Sequence, residues 1–94
     1  MALTWPSKDP DEVLDYDLDW TARLAGDTIA TSAWTIADGT GLTIGSPASS
    51  NTTTATKVWV TTGVLGTTYT LLNRITTAGG RTMDQSVKLK IATK

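Results

Sequence analysis

The sequence predicts an all-β protein, built as a small antiparallel β-sandwich of six to seven strands. Thr accounts for 20 of the 94 residues, and its branched side chain suits a pleated sheet better than a helix. Several stretches alternate between apolar and polar residues, as strands with one buried face do. Turn signals recur about every ten residues, which is a spacing typical of sandwiches.

The length of 94 residues fits one domain. Residues 1–13 contain two of the three prolines and show no periodicity, so we expect an extended N-terminal arm there. Residues 14–94 are expected to form the sandwich. Because the chain has no Phe, its four Trp and two Tyr must supply the large apolar side chains of the core.

The clearest strand signal covers residues 14–24, where apolar residues alternate with polar ones. One face would carry Leu14, Tyr16, Leu18, Trp20, Ala22 and Leu24, and the other Asp15, Asp17, Asp19, Thr21 and Arg23. A second strand is predicted over residues 28–37. Its apolar residues change parity between Ile29 and Trp34, which predicts a β-bulge or a kink.

The middle of the chain is less regular. Residues 38–41 have the composition of a turn and precede the apolar pair Leu42 and Ile44, while residues 45–54 read as a loop or a weak edge strand. Residues 54–62 alternate again, so either Val58 and Val60 or Trp59 faces the core. We expect the valines to face inward.

Two further strands complete the prediction, at residues 67–77 and after a hairpin turn at residues 78–81. The residues expected to face inward are Tyr69, Leu71 and Ile75 in the first of these strands and Met83, Val87, Leu89 and Ile91 in the second.

Composition argues against catalysis and against a cofactor or metal. The chain has no Cys and no His, which removes the common nucleophile and base pairs and imidazole ligands. The Asp15, Asp17 and Asp19 series lacks the Gly and Glu spacing of a calcium loop, and on a strand its neighbouring carboxylates stand about 6.8 Å apart. We interpret it as a solvated acidic face.

Charge and hydropathy restrict the partners. A net charge of −1 gives no positive field for nucleic acid, and no apolar run is long enough to cross a membrane. The chain is expected to be soluble and not exported, since its start does not resemble a signal peptide. Residues 1–19 hold six acids and one Lys, whereas residues 20–94 hold three acids and seven bases. The acidic segment could fold back on the basic body or bind that of a neighbouring copy.

Two candidate partner-binding sites follow. The arm contributes Trp5, Pro6, Asp9, Asp11 and Glu12, and its Trp must dock on its own domain or insert into a neighbour, because the polar arm offers no core of its own. The second candidate is a possible basic strip of Arg74 and Arg81, with Lys57, Lys88, Lys90 and Lys94. These bases either keep the strands soluble and guard sheet edges or bind a partner.

Parts of the sequence resemble known families. Gly66-Thr67-Thr68-Tyr69-Thr70-Leu71, Asn73-Arg74-Ile75-Thr76-Thr77 and Gly79-Gly80-Arg81 look like the last two strands of bacterial and phage immunoglobulin-like domains. In such domains a Tyr opens the penultimate strand and often forms a tyrosine corner. The resemblance implies an immunoglobulin-like sandwich.

A wider resemblance covers nearly the whole chain. It is carried by Lys8-Asp9-Pro10-Asp11-Glu12-Val13-Leu14-Asp15-Tyr16, Asp19-Trp20-Thr21-Ala22-Arg23-Leu24, Asp27-Thr28-Ile29 and Thr82-Met83-Asp84-Gln85-Ser86-Val87. These segments resemble small structural proteins of tailed bacteriophages and prophages, including fiber-tail adaptors. No catalytic or ligand residues come with that family.

The resemblance implies a non-enzymatic virion protein, present in several copies or as a homo-oligomer, that binds other tail, connector or fiber proteins. Its expected location is the virion, and the host bacterial cytoplasm during assembly. Two alternatives remain at this point: a head-decoration protein on the capsid, and a host-surface carbohydrate-binding module that uses Trp59.

Overall fold

The computed structural model describes residues 3–93. Within them lie eight strands and one helical turn: β1 (Leu3–Thr4), β2 (Leu14–Asp19), α1 (Thr21–Leu24), β3 (Ile29–Asp38), β4 (Leu42–Ile44), β5 (Ser50–Asn51), β6 (Ala55–Thr62), β7 (Thr68–Thr77) and β8 (Thr82–Lys90). One sheet has the order β1-β8-β7-β3 and the other β2-β6-β4, with β5 also paired to β6. The predicted all-β sandwich is confirmed, and it has eight strands in the described residues where six to seven were predicted, because the short β1 and β5 also pair.

The strand pairings are antiparallel except at the N-terminus, where β1 runs parallel to β8. A further parallel bridge joins Lys8 to Ile91. Contacts therefore cross the predicted boundary at residue 13, and residues 3–13 lie against the rest of the fold. Met1, Ala2 and Lys94, which the predicted arm and sandwich also include, lie outside the described residues.

The core consists of two clusters of buried side chains between the sheets. The larger contains Tyr16, Leu42, Val58, Val60, Tyr69, Leu71, Val87, Leu89 and Ile91. The smaller contains Leu18, Trp20, Leu24, Ile29 and Ile75. Val58 and Val60 face inward as predicted, whereas Trp59 lies half-buried on the outer face of β6. Met83 also faces the core but is only partly buried.

The strand predicted over residues 14–24 is wrong beyond Asp19. The Asp19 carboxylate accepts hydrogen bonds from the backbone N–H and hydroxyl of Thr21, at 2.9 and 2.6 Å, and this local turn diverts the chain into α1. Trp20 and Leu24 are both buried because they stand four residues apart on one helical turn, while Ala22 is exposed.

The second predicted strand is confirmed as β3, and its register against β7 shifts between Ile29 and Thr31 and between Ile36 and Asp38. These irregularities confirm the predicted bulge or kink. Of residues 45–54, only β5 forms a strand, so the interpretation as a loop with weak strand character is confirmed.

Tyr69, near the start of β7, links this strand to the segments that contain Thr40 and Val64. Its hydroxyl donates to the Thr40 carbonyl at 2.5 Å and accepts from the Val64 N–H at 3.0 Å. A side chain at Gly39 would collide with its ring, since a Cβ there would lie 2.5 Å from Tyr69 Cδ1. The immunoglobulin-like assignment stays a prediction; the strand order β3-β7-β8 opposite β2-β6-β4 and this tyrosine contact support it.

Candidate functional site

The N-terminal segment is held along β8 by its backbone. The Trp5 N–H donates to the Lys88 carbonyl at 2.9 Å, and the Lys8 N–H donates to the Lys90 carbonyl at 3.0 Å. The Ala92 N–H returns a bond to the Lys8 carbonyl at 2.8 Å. These bonds cover the edge of β8 and fix where the following residues emerge.

Trp5 is half-buried within its own domain. Its ring stacks on Tyr16 with centroids 4.6 Å apart and lies 5.6 Å from the ring of Trp34. The Tyr16 hydroxyl donates to the Pro6 carbonyl at 3.2 Å, and Pro6 itself is exposed. Of the two alternatives for Trp5, the structure shows the one in which this side chain docks on its own chain.

Lys8 is fully buried, and no feature of the sequence identified it as a site residue. Its ammonium donates to the carbonyls of Thr62 and Asp9, at 2.7 and 2.8 Å. Burial lowers the pKa of Lys8, and the nearby carboxylates of Glu12, Asp9 and Asp11 oppose that shift. Lys8 thus joins the N-terminal segment to the end of β6.

The acidic residues after Lys8 form an ordered turn. The Glu12 N–H donates to the Asp9 carbonyl at 3.1 Å, and the Glu12 carboxylate accepts from the Asp9 N–H at 2.8 Å. The Asp9 carboxylate accepts from the Asp11 N–H at 2.9 Å. These bonds present Asp11 to solvent in a defined conformation.

Exposed apolar side chains lie at the same end of the sandwich as this turn. Val13 is 53% exposed, Val64 53% and Leu65 56%. Val13 precedes the residue that pairs with Val60 near the end of β6, and residues 63–66 follow that strand directly. We name residues 9–13 and 63–66 the loop end. Apolar groups with a polar rim are typical of protein-binding surfaces.

In the sequence, Gly63 and Gly66 bracket residues 63–66 and predict only a turn. One feature of the sequence could have indicated exposed apolar side chains here. Val64 and Leu65 are consecutive apolar residues between two glycines, and a turn has no strand face that would bury them. Periodicity alone could not place this turn at the same end of the sandwich as Asp9, Asp11 and Glu12, because the two segments lie more than fifty positions apart in the sequence.

The predicted basic strip is not a free patch. Arg74 forms a bidentate pair with Asp84, at 2.8 and 2.9 Å, and these hydrogen bonds lower the pKa of Asp84. Arg81 pairs with Asp27 at 3.2 Å and donates to the Leu24 carbonyl at 2.5 Å. Both guanidinium groups therefore hold their own fold together.

The remaining bases of that strip are spread over the molecule. Lys88 and Lys90 are exposed on β8, Lys57 pairs with Asp15 at 3.4 Å on the other sheet, and Lys94 lies outside the described residues.

The acidic residues Asp15, Asp17 and Asp19 occupy the exposed face of β2, as predicted. Beside them, two open grooves of about 440 and 210 Å³ meet at Asp17 and Ala55. Within residues 3–93 no three His, Cys, Asp or Glu side chains gather as metal ligands would. The same residues contain no helix with the length and apolar character that a membrane span requires.

Comparison with known proteins identifies the family. A search of curated proteins gave no match. The family described as podophage GP4 fiber-tail adaptor protein gp77 matches residues 8–90, which include Lys8, the acidic turn and the whole loop end. Because this match covers most of the chain, the protein belongs to the family of podophage GP4 fiber-tail adaptor proteins.

Proposed function

We propose that this chain is a non-enzymatic structural protein of the virion that links a fiber to the tail through protein–protein contacts, with the loop end as a contact surface. The family match over residues 8–90 carries the proposal. The adaptor assembles in the host cytoplasm and remains in the virion in several copies, so individually weak contacts add through multivalency.

The composition of the loop end supports this role. Val64 and Leu65 offer apolar area that water solvates poorly, and Asp11 adds charge that selects a basic partner surface. Because hydrogen bonds already order the acidic turn, binding there requires little additional ordering. In this arrangement Trp5 supports the surface from within, while Pro6, Asp9, Asp11 and Glu12 lie at or near the contact.

A matched pair of variants tests the surface. Val64→Asp with Leu65→Asp replaces the exposed apolar area of residues 63–66 with charge and changes no residue of the core clusters. Leu3→Asp, at a residue that is 48% exposed on β1, is the control for adding charge at an exposed apolar site. Each protein is supplied to a phage that lacks its own copy, and fibers per particle are counted by cryo-electron microscopy.

We expect the double variant to fold normally, with stability within about 0.5 kcal/mol per exposed site, and to reduce fibers per particle at least tenfold. Leu3→Asp should retain them. Equal fiber numbers in both variants would reject the loop end as the contact surface. For the unmodified protein, density over the capsid faces would instead establish head decoration. Absence of the unmodified protein from the particle would reject the virion assignment.

Carbohydrate binding is a second candidate because Trp59 lies half-buried on the outer face of β6, opposite Asp15. An aromatic ring flanked by polar groups is suited to stack on a sugar. Screening of the purified protein against host-surface glycans tests this function. Binding that Trp59→Ala abolishes would support it, whereas absence of binding would reject it.

A further inference from the structure

Beyond its first residue, strand β3 has one edge without a neighbouring strand among the described residues. In the part of the chain that the structure describes, β3 is the last strand of its sheet and pairs with β7 alone. Within residues 3–93, one backbone hydrogen bond joins β3 to a segment outside its sheet. It runs from the N–H of Ile29, the first residue of β3, to the Thr53 carbonyl. Alternate N–H and C=O groups along the other side of β3 therefore face away from β7, as they do in any edge strand.

The other sheet edges within the described residues are short or charged. β1 and β5 have two residues each and β4 has three, while β2 carries three exposed Asp residues. In contrast, β3 has ten residues, no Pro or Lys, and no charged residue before Asp38 at its end. Short edges and edge charges protect against pairing with another strand, so β3 is the least protected edge.

The central part of β3 is regular and self-complementary. Register shifts occur near its two ends, and the pairing with β7 is continuous from Thr31 to Ile36. When this stretch pairs antiparallel with itself about Ala33, Thr31 stands opposite Thr35 of the second copy. Thr pairs opposite one another are favourable in antiparallel sheets, and Asp38 of each copy lies beyond the paired stretch.

We propose that β3 binds β3 of a second copy of this chain across a two-fold axis at Ala33. The two sheets β1-β8-β7-β3 would then form one continuous eight-stranded sheet. A second copy is favoured over another protein because the neutral strand is complementary to itself and because one contact covers both open edges. The paired stretch around Ala33 shares no residue with the loop end, so the interface goes beyond the adaptor role.

Single cysteines test the register, because the chain has no native Cys. In the proposed dimer the two Ala33 Cα atoms are about 4.5 to 5.5 Å apart, which is within the range that a disulfide spans. The two Ala37 Cα atoms would be about 26 Å apart, at about 3.3 Å per residue. Ala33→Cys is therefore the test variant and Ala37→Cys the matched control, since both alanines are exposed on β3.

We expect Ala33→Cys to form disulfide-linked dimers at least tenfold faster than Ala37→Cys under mild oxidation. The unmodified chain should sediment as a dimer at micromolar concentration, and Ala33→Lys should sediment as a folded monomer. Equal cross-linking of the two cysteine variants, a monomeric unmodified chain, or a dimeric Ala33→Lys would each overturn the proposal. These measurements use the purified chain, so they are independent of fiber attachment.

Discussion

The two ends of the sandwich use their charged residues in opposite ways. We name residues 24–27 and 78–81 the clasp end. There Arg81 forms an ion pair with Asp27 and donates a hydrogen bond to the Leu24 carbonyl, so both charges bind within the chain. At the loop end the buried cation Lys8 binds backbone carbonyls, and the acidic turn beside it keeps Asp11 exposed. The charges of the clasp end are therefore paired within the chain, whereas the loop end exposes charged and apolar side chains together.

The core follows the same division. Trp20 and Leu24 lie in the smaller cluster next to the clasp end, and Tyr69 lies in the larger cluster next to the loop end. Trp5 and Trp34 pack against both clusters. The contrast indicates that the clasp end contributes mainly to the stability of the fold. At the loop end, a packed core cluster lies under exposed side chains that are available to partners.

Truncation of Trp20 should have the largest effect. Its indole N–H donates to the Asn73 side-chain carbonyl at 3.0 Å, and the guanidinium of Arg23 lies 4.8 Å from the ring centre. Trp20→Ala should lower the free energy of unfolding by about 3 to 5 kcal/mol, measured by urea denaturation. Trp59→Ala removes the same side chain from an outer face and should cost about 1 kcal/mol or less. A larger loss in Trp59→Ala would contradict this division between core and surface.

Removal of the Tyr69 hydroxyl should have an intermediate effect at the other end. Tyr69→Phe keeps the ring and leaves the Thr40 carbonyl and the Val64 N–H without this partner, at a cost of about 1 to 2 kcal/mol. Thermal unfolding measures the loss, and hydrogen exchange at Val64 should increase. Tyr16→Phe loses one longer bond, to Pro6, and should cost less. An equal cost in both variants would show that Tyr69 does not fasten the loop end.

Acid should weaken the clasp end through Asp27. Hydrogen bonds from the Thr77 hydroxyl, the Thr28 N–H, Arg81 and the Gly79 N–H hold the pKa of Asp27 at about 2, below its usual 3.8. Because the unfolded chain binds this proton more readily, the stabilisation is complete above about pH 4. It is lost progressively as the pH falls through 3.8 towards 2.

The variant Asp27→Asn checks this assignment. It should be less stable than the unmodified chain at pH 7, and its unfolding free energy should fall less steeply between pH 4 and pH 2. Asp17→Asn, on the exposed face of β2, is the control for loss of one negative charge. If Asp27→Asn and the unmodified chain showed the same acid dependence, Asp27 would not stabilise the clasp.

Local sequence patterns predicted much of the fold because strand alternation and turn composition act over a few residues. They identified the inward-facing valines of β6, the buried residues of β7 and the hairpin before β8. The prediction was wrong over residues 20–24, where Trp20, Ala22 and Leu24 continue the alternation. There the hydrogen bonds from Thr21 to Asp19 and the burial of Trp20 with Leu24 outweighed the strand pattern.

The candidate surface could be predicted only in part. The acidic residues of the N-terminal segment were identifiable from charge, and Trp5 from its isolation in a polar stretch. The burial of Lys8 was not predictable, since Lys is almost always exposed unless its charge is compensated. Its acceptors are backbone carbonyls, and one of them belongs to Thr62, 54 residues away.

Residue types and neighbours along the chain were sufficient to predict the fold class, the alternating faces of most strands and the absence of Cys and His chemistry. Three features required the folded molecule: the pairing of Arg74 and Arg81, the docking of Trp5 within its own domain, and the location of Val64 and Leu65 at the same end of the sandwich as the acidic turn. These features depend on contacts between residues far apart in sequence, and such contacts form only when the two sheets pack together.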